Sequence, residues 1–208
     1  MASPIEGGDS VSESGGEEAR DHLYRAGAYN YLAALIRVEP PAELLQQVSR
    51  FADIDNDAGD IEAAMATLGV AAQTCTETEI RDEFFRVFIG LGRGELVPYG
   101  SWYQTGFLME KPLGELRDDL KQLGFERDSS MREPEDHVAA LWEVMAMLIE
   151  EGRDLDTQRW FFEKHLGAWI DRFNQDLATA KSATFYKAVA RFAAAFTDFE
   201  RGYMGMEV

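Results

Sequence analysis

The chain has 208 residues, of which 46% are hydrophobic and 12% aromatic, enough for a globular core and too apolar for a disordered protein. Its 20 Lys and Arg residues against 38 Asp and Glu give a formal net charge of −18, which argues against nucleic acid and anionic membrane surfaces as partners. A basic partner would instead be attracted, and the single cysteine, Cys75, excludes an internal disulfide.

The first 18 residues are rich in Ser, Gly and Glu and have neither a basic start nor an apolar segment. This composition predicts a disordered acidic tail over residues 1–18 rather than an export signal. No apolar run approaches the roughly 20 residues that cross a bilayer. We therefore expect a cytoplasmic protein without stable membrane insertion, in which residues 19–208 form a single domain.

Helical periodicity dominates the rest of the chain, and no alternating pattern of strand length is evident. The pattern predicts an all-α fold, a multi-helix bundle whose N- and C-terminal helical portions are joined by a hinge near residues 125–133. In chain order, the predicted helices start near Glu17 and after Pro41, and then cover residues 61–72, 77–88, 102–109, 113–123, 134–151, 157–165, 166–180 and 182–203. Thr76 and Glu79 predict a capping box at the start of the fourth helix, and Gly124 predicts the end of the sixth.

Two loops resemble ligand sites only superficially. The acidic loop after Asp53 has Ala58 and Ala64 where a calcium loop of the EF-hand type needs Gly and Glu. The glycine-rich segment 90–94 follows a predicted helix and lacks the Gly-Lys-Ser/Thr of a phosphate loop. The sequence therefore predicts a solvated loop, a helix terminator and no cofactor.

No catalytic or metal-binding pattern is present either. His22, His137 and His165 lie far apart in the sequence, and none belongs to a His-Glu-x-x-His motif. Ser101 lacks the second glycine of a nucleophile elbow. We expect no catalytic residues, no metal ligands and no enzymatic activity.

The segment formed by Glu133, Pro134, Glu135, Asp136 and His137 is the more informative one. A proline in the first helical turn fixes where a helix begins, and the next residues then lie beside unsatisfied backbone N–H groups. A carboxylate and an imidazole displayed beside a hinge can hold a basic or polar partner group. The alternative is a capped helix start that carries a surface histidine.

An aromatic cluster forms the second candidate site. Tyr99, Trp102, Phe107 and Met109 all fall within residues 98–112, between two prolines. Such side chains can belong to the core, or they can line a groove for an apolar peptide, with methionine as an adaptable contact. The sequence leaves both alternatives open.

Motifs spread over residues 79–196 carry a family resemblance. They are Phe84-Phe85-x-x-Phe88-x-Gly90, Pro98-Tyr99-Gly100-Ser101-Trp102, Leu116-Arg117, Gly124, Glu133-Pro134-Glu135-Asp136-His137, Trp160 to His165-Leu166 with Trp169, and Phe185-Tyr186. In this order and spacing they resemble the TorD/DmsD-type family of cytoplasmic redox-enzyme maturation chaperones. The element Glu-Pro-x-Asp-His is the most specific of these motifs.

The resemblance implies an all-helical cytoplasmic chaperone that binds the twin-arginine signal peptide, and the apo form, of a molybdenum- or tungsten-cofactor oxidoreductase. It implies peptide-binding roles for Tyr99, Trp102, Gly124, Glu133, Pro134, Asp136 and His137. Residues 96–113 are similar to members associated with formate dehydrogenases. Such a chaperone, monomeric or dimeric, would assist maturation before export.

The residues support this expectation independently, because a basic pair followed by an apolar stretch needs acidic groups and an apolar groove. Two alternatives from other classes stay open. One is a small acidic nucleotide-hydrolysing enzyme, and the other is a helical adaptor with no preference for signal peptides.

Overall fold

A computed structural model describes residues 10–126 and 133–205 of the chain. The described residues contain ten α-helices and no β-strand, as the periodicity predicts. The helices are α1 (Ser10–Arg37), α2 (Ala42–Ser49), α3 (Asp60–Thr74), α4 (Glu77–Phe84), α5 (Gly100–Thr105), α6 (Lys111–Leu123), α7 (Val138–Glu150), α8 (Leu155–Phe162), α9 (Ile170–Thr179) and α10 (Phe185–Gly205). Within these two ranges, no helix combines the length and the apolar character needed to cross a membrane.

Two local predictions about helix ends are confirmed. The Thr76 side chain accepts a hydrogen bond from the backbone N–H of Glu79, whose carboxylate accepts one from the backbone N–H of Thr76. This reciprocal capping box starts α4. At the end of α6, Gly124 has a φ of 87°, the left-handed conformation that glycine adopts without steric cost.

Several helix boundaries differ from the prediction. Helix α1 begins at Ser10 rather than near Glu17, and α5 ends at Thr105, so that Phe107 and Met109 lie in an exposed loop after it. Two helices end in π-helical turns, at Phe85–Ile89 and Glu163–Gly167. Part of the predicted tail and hinge, residues 1–9 and 127–132, lies outside the described residues.

The prediction for the start of α7 was wrong, and the reason is a long-range backbone contact. Pro134 lies in the turn before the helix, and α7 starts only at Val138. The backbone N–H of Val138 donates to the carbonyl of Pro98 (2.8 Å), and the N–H of Gly100 donates to the carbonyl of Asp136 (2.8 Å). Because these bonds hold His137 in an extended bridge with Tyr99, the helix cannot begin earlier.

Helix α7 is the most apolar helix and lies at the centre of the core, packed along α1. Its buried residues are Val138, Ala139, Leu141, Trp142, Val144, Met145, Ala146, Leu148 and Ile149. Helices α9 and α10 pack against each other beside it. Burial on nearly every side of α7 fixes its position, so that residues at its N-terminus are held rigidly.

One buried polar cluster joins the first and last helices. The Arg25 guanidinium on α1 donates to both carboxylate oxygens of Glu200 on α10 (2.6 and 2.9 Å) and to Gln158 (2.9 Å). The Tyr29 hydroxyl also donates to Glu200 (2.9 Å). Each polar side chain is nearly inaccessible, and such groups are tolerated inside a protein only when they are paired.

Candidate functional site

The start of α5 and the start of α7 are joined at one junction. Tyr99 and His137 form an isolated antiparallel bridge, and the carboxylate of Asp136 accepts a hydrogen bond from the backbone N–H of Ser101 (2.8 Å). Asp136 thereby satisfies one of the N–H groups that the first turn of α5 leaves without a helical partner. Two segments 35 residues apart that sequence analysis singled out are therefore in direct contact.

His137 is the N-cap residue of α7 rather than a surface histidine. Its Nδ1 accepts a hydrogen bond from the backbone N–H of Ala139 (3.1 Å), and its ring meets that of Tyr99 edge to face at 5.0 Å. Burial, with a smaller contribution from the nearby Arg37 cation, lowers the pKa of His137 from 6.5 to about 3. The imidazole is therefore neutral near pH 7, and its 3.9 Å separation from Glu133 is not an ion pair.

Asp136 and His137 are each only 3% exposed. The expectation that they lie in the first turn of α7 and present a carboxylate and an imidazole to a partner needs correction, because the backbone pairing turns both side chains inward. They hold the junction together. The neighbouring carboxylates of Glu133 and Glu135 are less buried, with side chains 32% and 14% exposed.

A groove of about 640 Å³ lies over this junction, between the end of α1, α6 and the outer face of α7. Its walls have an acidic and an apolar part. Among the described residues they are formed by Arg37, Arg117, Leu120, Lys121, Phe125, Glu126, Glu133, Pro134, Glu135, Ala140, Glu143, Val144 and Met147.

The predicted site residues are placed unequally around the groove. Glu133 and Pro134 line it, and Gly124 ends the helix that forms one wall. The Tyr99 hydroxyl donates to the Glu133 carboxylate (3.1 Å), and burial raises the pKa of that hydroxyl. Trp102 is not one of the described lining residues. It is half-buried on α5 beneath the Arg93 guanidinium, 4.8 Å from its ring.

Arginines of the chain itself form ion pairs with carboxylates at the acidic end of the groove. Arg37 pairs with both oxygens of Glu143, the Nε–Oε1 distance being 3.1 Å, and its Nη1 lies 3.4 Å from Glu133. Arg117 donates from Nε and Nη2 to Glu135 (3.0 and 2.8 Å). The acidic end is thus a set of carboxylates that already bind guanidinium groups.

The wall that α7 contributes was not predicted from the sequence. Ala140, Glu143, Val144 and Met147 are spaced at i, i+3, i+4 and i+7, which places them on one face of a helix. The spacing is visible in the sequence. However, α7 is apolar almost throughout, so periodicity alone cannot distinguish the groove face from the buried faces.

The described residues contain no metal centre, and neither Cys75 nor Ser101 is placed there as an activated nucleophile. No group of three His, Cys, Asp or Glu side chains within residues 10–126 and 133–205 could hold a metal ion. Burial raises the pKa of the Cys75 thiol, which disfavours the reactive thiolate. The buried Ser101 is linked to Asp136 through its backbone N–H and not through a base on its hydroxyl.

Comparison with known proteins agrees with this picture. The family model described as the nitrate reductase delta subunit matches residues 54–175, more than half of the chain. Chaperone protein TorD of Aliivibrio salmonicida is 24% identical over 205 residues, covering 88% of this chain and 95% of that protein. TorD of Vibrio cholerae (strain ATCC 39541) is 30% identical over 131 residues, covering 58% and 60% of the two chains.

A solved structure supports the fold. The crystal structure of a protein from Archaeoglobus fulgidus, described as a redox enzyme maturation protein, superimposes with a TM-score of 0.53 at 20% identity. It covers 83% of this chain and 91% of that one. The relatives are named as chaperones and not as catalysts. The chain therefore belongs to the nitrate reductase delta subunit family, whose TorD-type members are redox-enzyme maturation chaperones, and is itself a chaperone and not an enzyme.

Proposed function

We propose that this chaperone binds the twin-arginine signal peptide of a redox enzyme in the groove between α1, α6 and α7. The observation that carries the proposal is the groove's division into carboxylates that already bind guanidinium groups and an adjoining apolar wall. A twin-arginine peptide has the same two parts, a basic pair followed by an apolar stretch. Guanidinium forks pair well with carboxylates, and apolar side chains gain free energy by leaving water.

The roles of the residues follow from their placement. Glu133, Glu135 and Glu143 take the arginine pair, whereas Phe125 and Met147 contact the apolar stretch. Exposed carboxylate–arginine pairs contribute only about 0–1 kcal/mol each, so the apolar contacts supply most of the affinity. Of the residues predicted from sequence, Tyr99, Asp136, His137 and Gly124 position the acidic segment and the end of α6, whereas Trp102, on α5, is not among the described lining residues of the groove.

We further propose that the client is a molybdenum- or tungsten-cofactor oxidoreductase and that the chaperone acts on its apo form in the cytoplasm before export. The net charge of −18 favours capture of a basic signal segment, which is accessible only before translocation. The similarity of residues 96–113 to members associated with formate dehydrogenases makes a formate dehydrogenase the first client to test. Isolating the chaperone from native cells and identifying the bound oxidoreductase by mass spectrometry tests this.

Calorimetric titration of a synthetic twin-arginine signal peptide tests the groove. Truncating Phe125 to Ala should raise the dissociation constant about tenfold or more, as expected for an apolar anchor. Phe199→Ala is the matched control, because Phe199 is a half-exposed phenylalanine on α10, away from the groove. It should leave the affinity unchanged.

Charge at the groove is tested by Glu143→Gln, which should weaken the peptide complex at low ionic strength and less at high ionic strength. Equal affinities for the wild type, Phe125→Ala and Glu143→Gln would place the peptide site elsewhere. Equal binding of unrelated apolar peptides without arginine would instead support an adaptor that has no preference for signal peptides.

A further inference from the structure

Two arginines among the described lining residues of the groove come from different helices and pair with its carboxylates. Arg37 lies in the last turn of α1, and Arg117 lies in the middle of α6. Arg37 makes a two-pronged pair with Glu143, and Arg117 directs two N–H groups at one oxygen of Glu135. Both arginines therefore use the guanidinium geometry that an arginine of a bound peptide would use.

We propose that Arg37 and Arg117 pair with the groove carboxylates in the unbound protein. When a twin-arginine peptide binds, its two arginines displace Arg37 and Arg117 and pair with these carboxylates instead. This inference rests on the proposed function. Neighbouring side chains of an extended peptide point in opposite directions, so two consecutive arginines need two separate carboxylate positions. Glu143 and Glu135 supply two such positions, and each already binds a guanidinium group.

The exchange has a consequence for affinity. A peptide arginine gains the hydrogen bonds that a resident arginine gives up, so the net contribution of each arginine to binding is small. The apolar wall then determines most of the affinity, and the peptide can be released without a large loss of electrostatic free energy. A chaperone that must hand its client on needs such reversible binding.

The partial accessibility of both pairs allows exchange. The side chains of Arg37 and Glu143 are 14% and 41% exposed, and those of Arg117 and Glu135 are 43% and 14% exposed. In the first pair the guanidinium is mostly buried and the carboxylate reaches solvent, whereas in the second pair the guanidinium reaches solvent and the carboxylate is mostly buried. By contrast, Arg25 and Glu200 are at most 1% exposed, and no peptide could exchange with that pair.

A charge-conserving substitution tests the displacement. Lysine keeps the charge of Arg37 but cannot form the two-pronged pair, so it is a weaker competitor for Glu143. Arg37→Lys should tighten binding of the twin-arginine peptide about twofold to fivefold, which is the range of exposed ion pairs. A twin-lysine peptide should gain less, because an ammonium group makes only a point contact with the released carboxylate.

Arg201→Lys is the matched control. Arg201 forms a two-pronged pair with Asp171 (2.9 Å for both bonds) between α9 and α10, away from the groove. This variant should bind both peptides like the wild type. Arg117→Lys is the second test variant, since Arg117 lies on an exposed helix surface where lysine is a good helix former. Arg117→Lys tests the displacement inference if Arg37→Lys proves unstable in thermal unfolding.

The outcomes separate this inference from the proposed function. If folded variants bind the twin-arginine peptide as the wild type does, or more weakly, Arg37 and Arg117 are structural and the displacement inference is wrong. An equal gain for the twin-arginine and twin-lysine peptides also contradicts it. If the wild type itself fails to bind the twin-arginine peptide, the proposed function is wrong and the inference with it.

Discussion

The carboxylate of Asp136 accepts a hydrogen bond from the backbone N–H of Ser101 at a distance of 2.8 Å, inside the protein. This contact fixes the start of α5 against the segment that leads into α7. Asp136 also accepts at its backbone carbonyl from Gly100 (2.8 Å). An acidic residue that the sequence predicts as a binding group thus serves as a tether between two helix starts.

Removing the hydrogen bond between Asp136 and Ser101 should lower the stability of the folded protein, and through it the affinity for the peptide. Asp136→Ala leaves a buried N–H group without an acceptor, and we expect it to lower the free energy of unfolding by about 1–3 kcal/mol. Peptide affinity should then fall to a similar extent at low and high salt, because the acidic groups of the groove lose their support. Urea unfolding and calorimetry measure the two effects.

Asp136→Asn is the matched variant, because it keeps an oxygen acceptor for Ser101 and should cost less stability than the alanine. If Asp136→Ala unfolds like the wild type but loses peptide affinity only at low salt, then Asp136 contacts the peptide directly. That result would restore the role expected from its position in the sequence.

The stability of the protein should depend on pH through His137. Well above pH 6.5 its imidazole is neutral in both the folded and the unfolded chain. As the pH falls, the unfolded chain binds a proton, whereas the folded chain, with a pKa of about 3, does not. The free energy of unfolding should therefore decrease through this window, and His137 should account for a loss of about 2 kcal/mol between pH 7 and pH 5.

His137→Asn isolates this contribution, since asparagine offers an oxygen acceptor to the backbone of α7 and does not titrate. His165 remains in the variant, and burial lowers its pKa as well. The informative quantity is therefore the difference between the two proteins, measured by urea unfolding at several pH values. Parallel pH profiles would mean that His137 has the same pKa in the folded and the unfolded chain.

Local signals in the sequence predicted much of the helical layout. The capping box at Thr76 and Glu79 and the glycine at position 124 act through neighbours a few residues away, so their roles can be predicted without tertiary structure. The start of α7 could not be predicted in this way. It depends on backbone pairing with Pro98, which lies 40 positions earlier in the chain.

The distinction between local and long-range contacts also explains which parts of the candidate site could be predicted from the sequence. Spacing placed Glu133 and Pro134 beside a hinge, and both line the groove. It could not show that Asp136 and His137 point inward, because that follows from contacts with residues 98–101. Arg37 was missed because it lies 96 residues from Glu133 and looks like an ordinary basic residue at a helix end.

The buried pair of Arg25 and Glu200 gives the last prediction. Replacing Glu200 with Leu leaves a guanidinium that is only 1% exposed without its carboxylate, and we expect a loss of about 3–5 kcal/mol in the free energy of unfolding. The double variant Arg25→Met, Glu200→Leu removes both charges and should be more stable than the single variant Glu200→Leu.

Urea unfolding of the wild type, both single variants and the double variant completes a double-mutant cycle. Asp171→Ala, which breaks the exposed pair with Arg201, is the control and should cost about 1 kcal/mol or less. A double variant no more stable than Glu200→Leu would show that Arg25 is hydrated or paired elsewhere once Glu200 is removed.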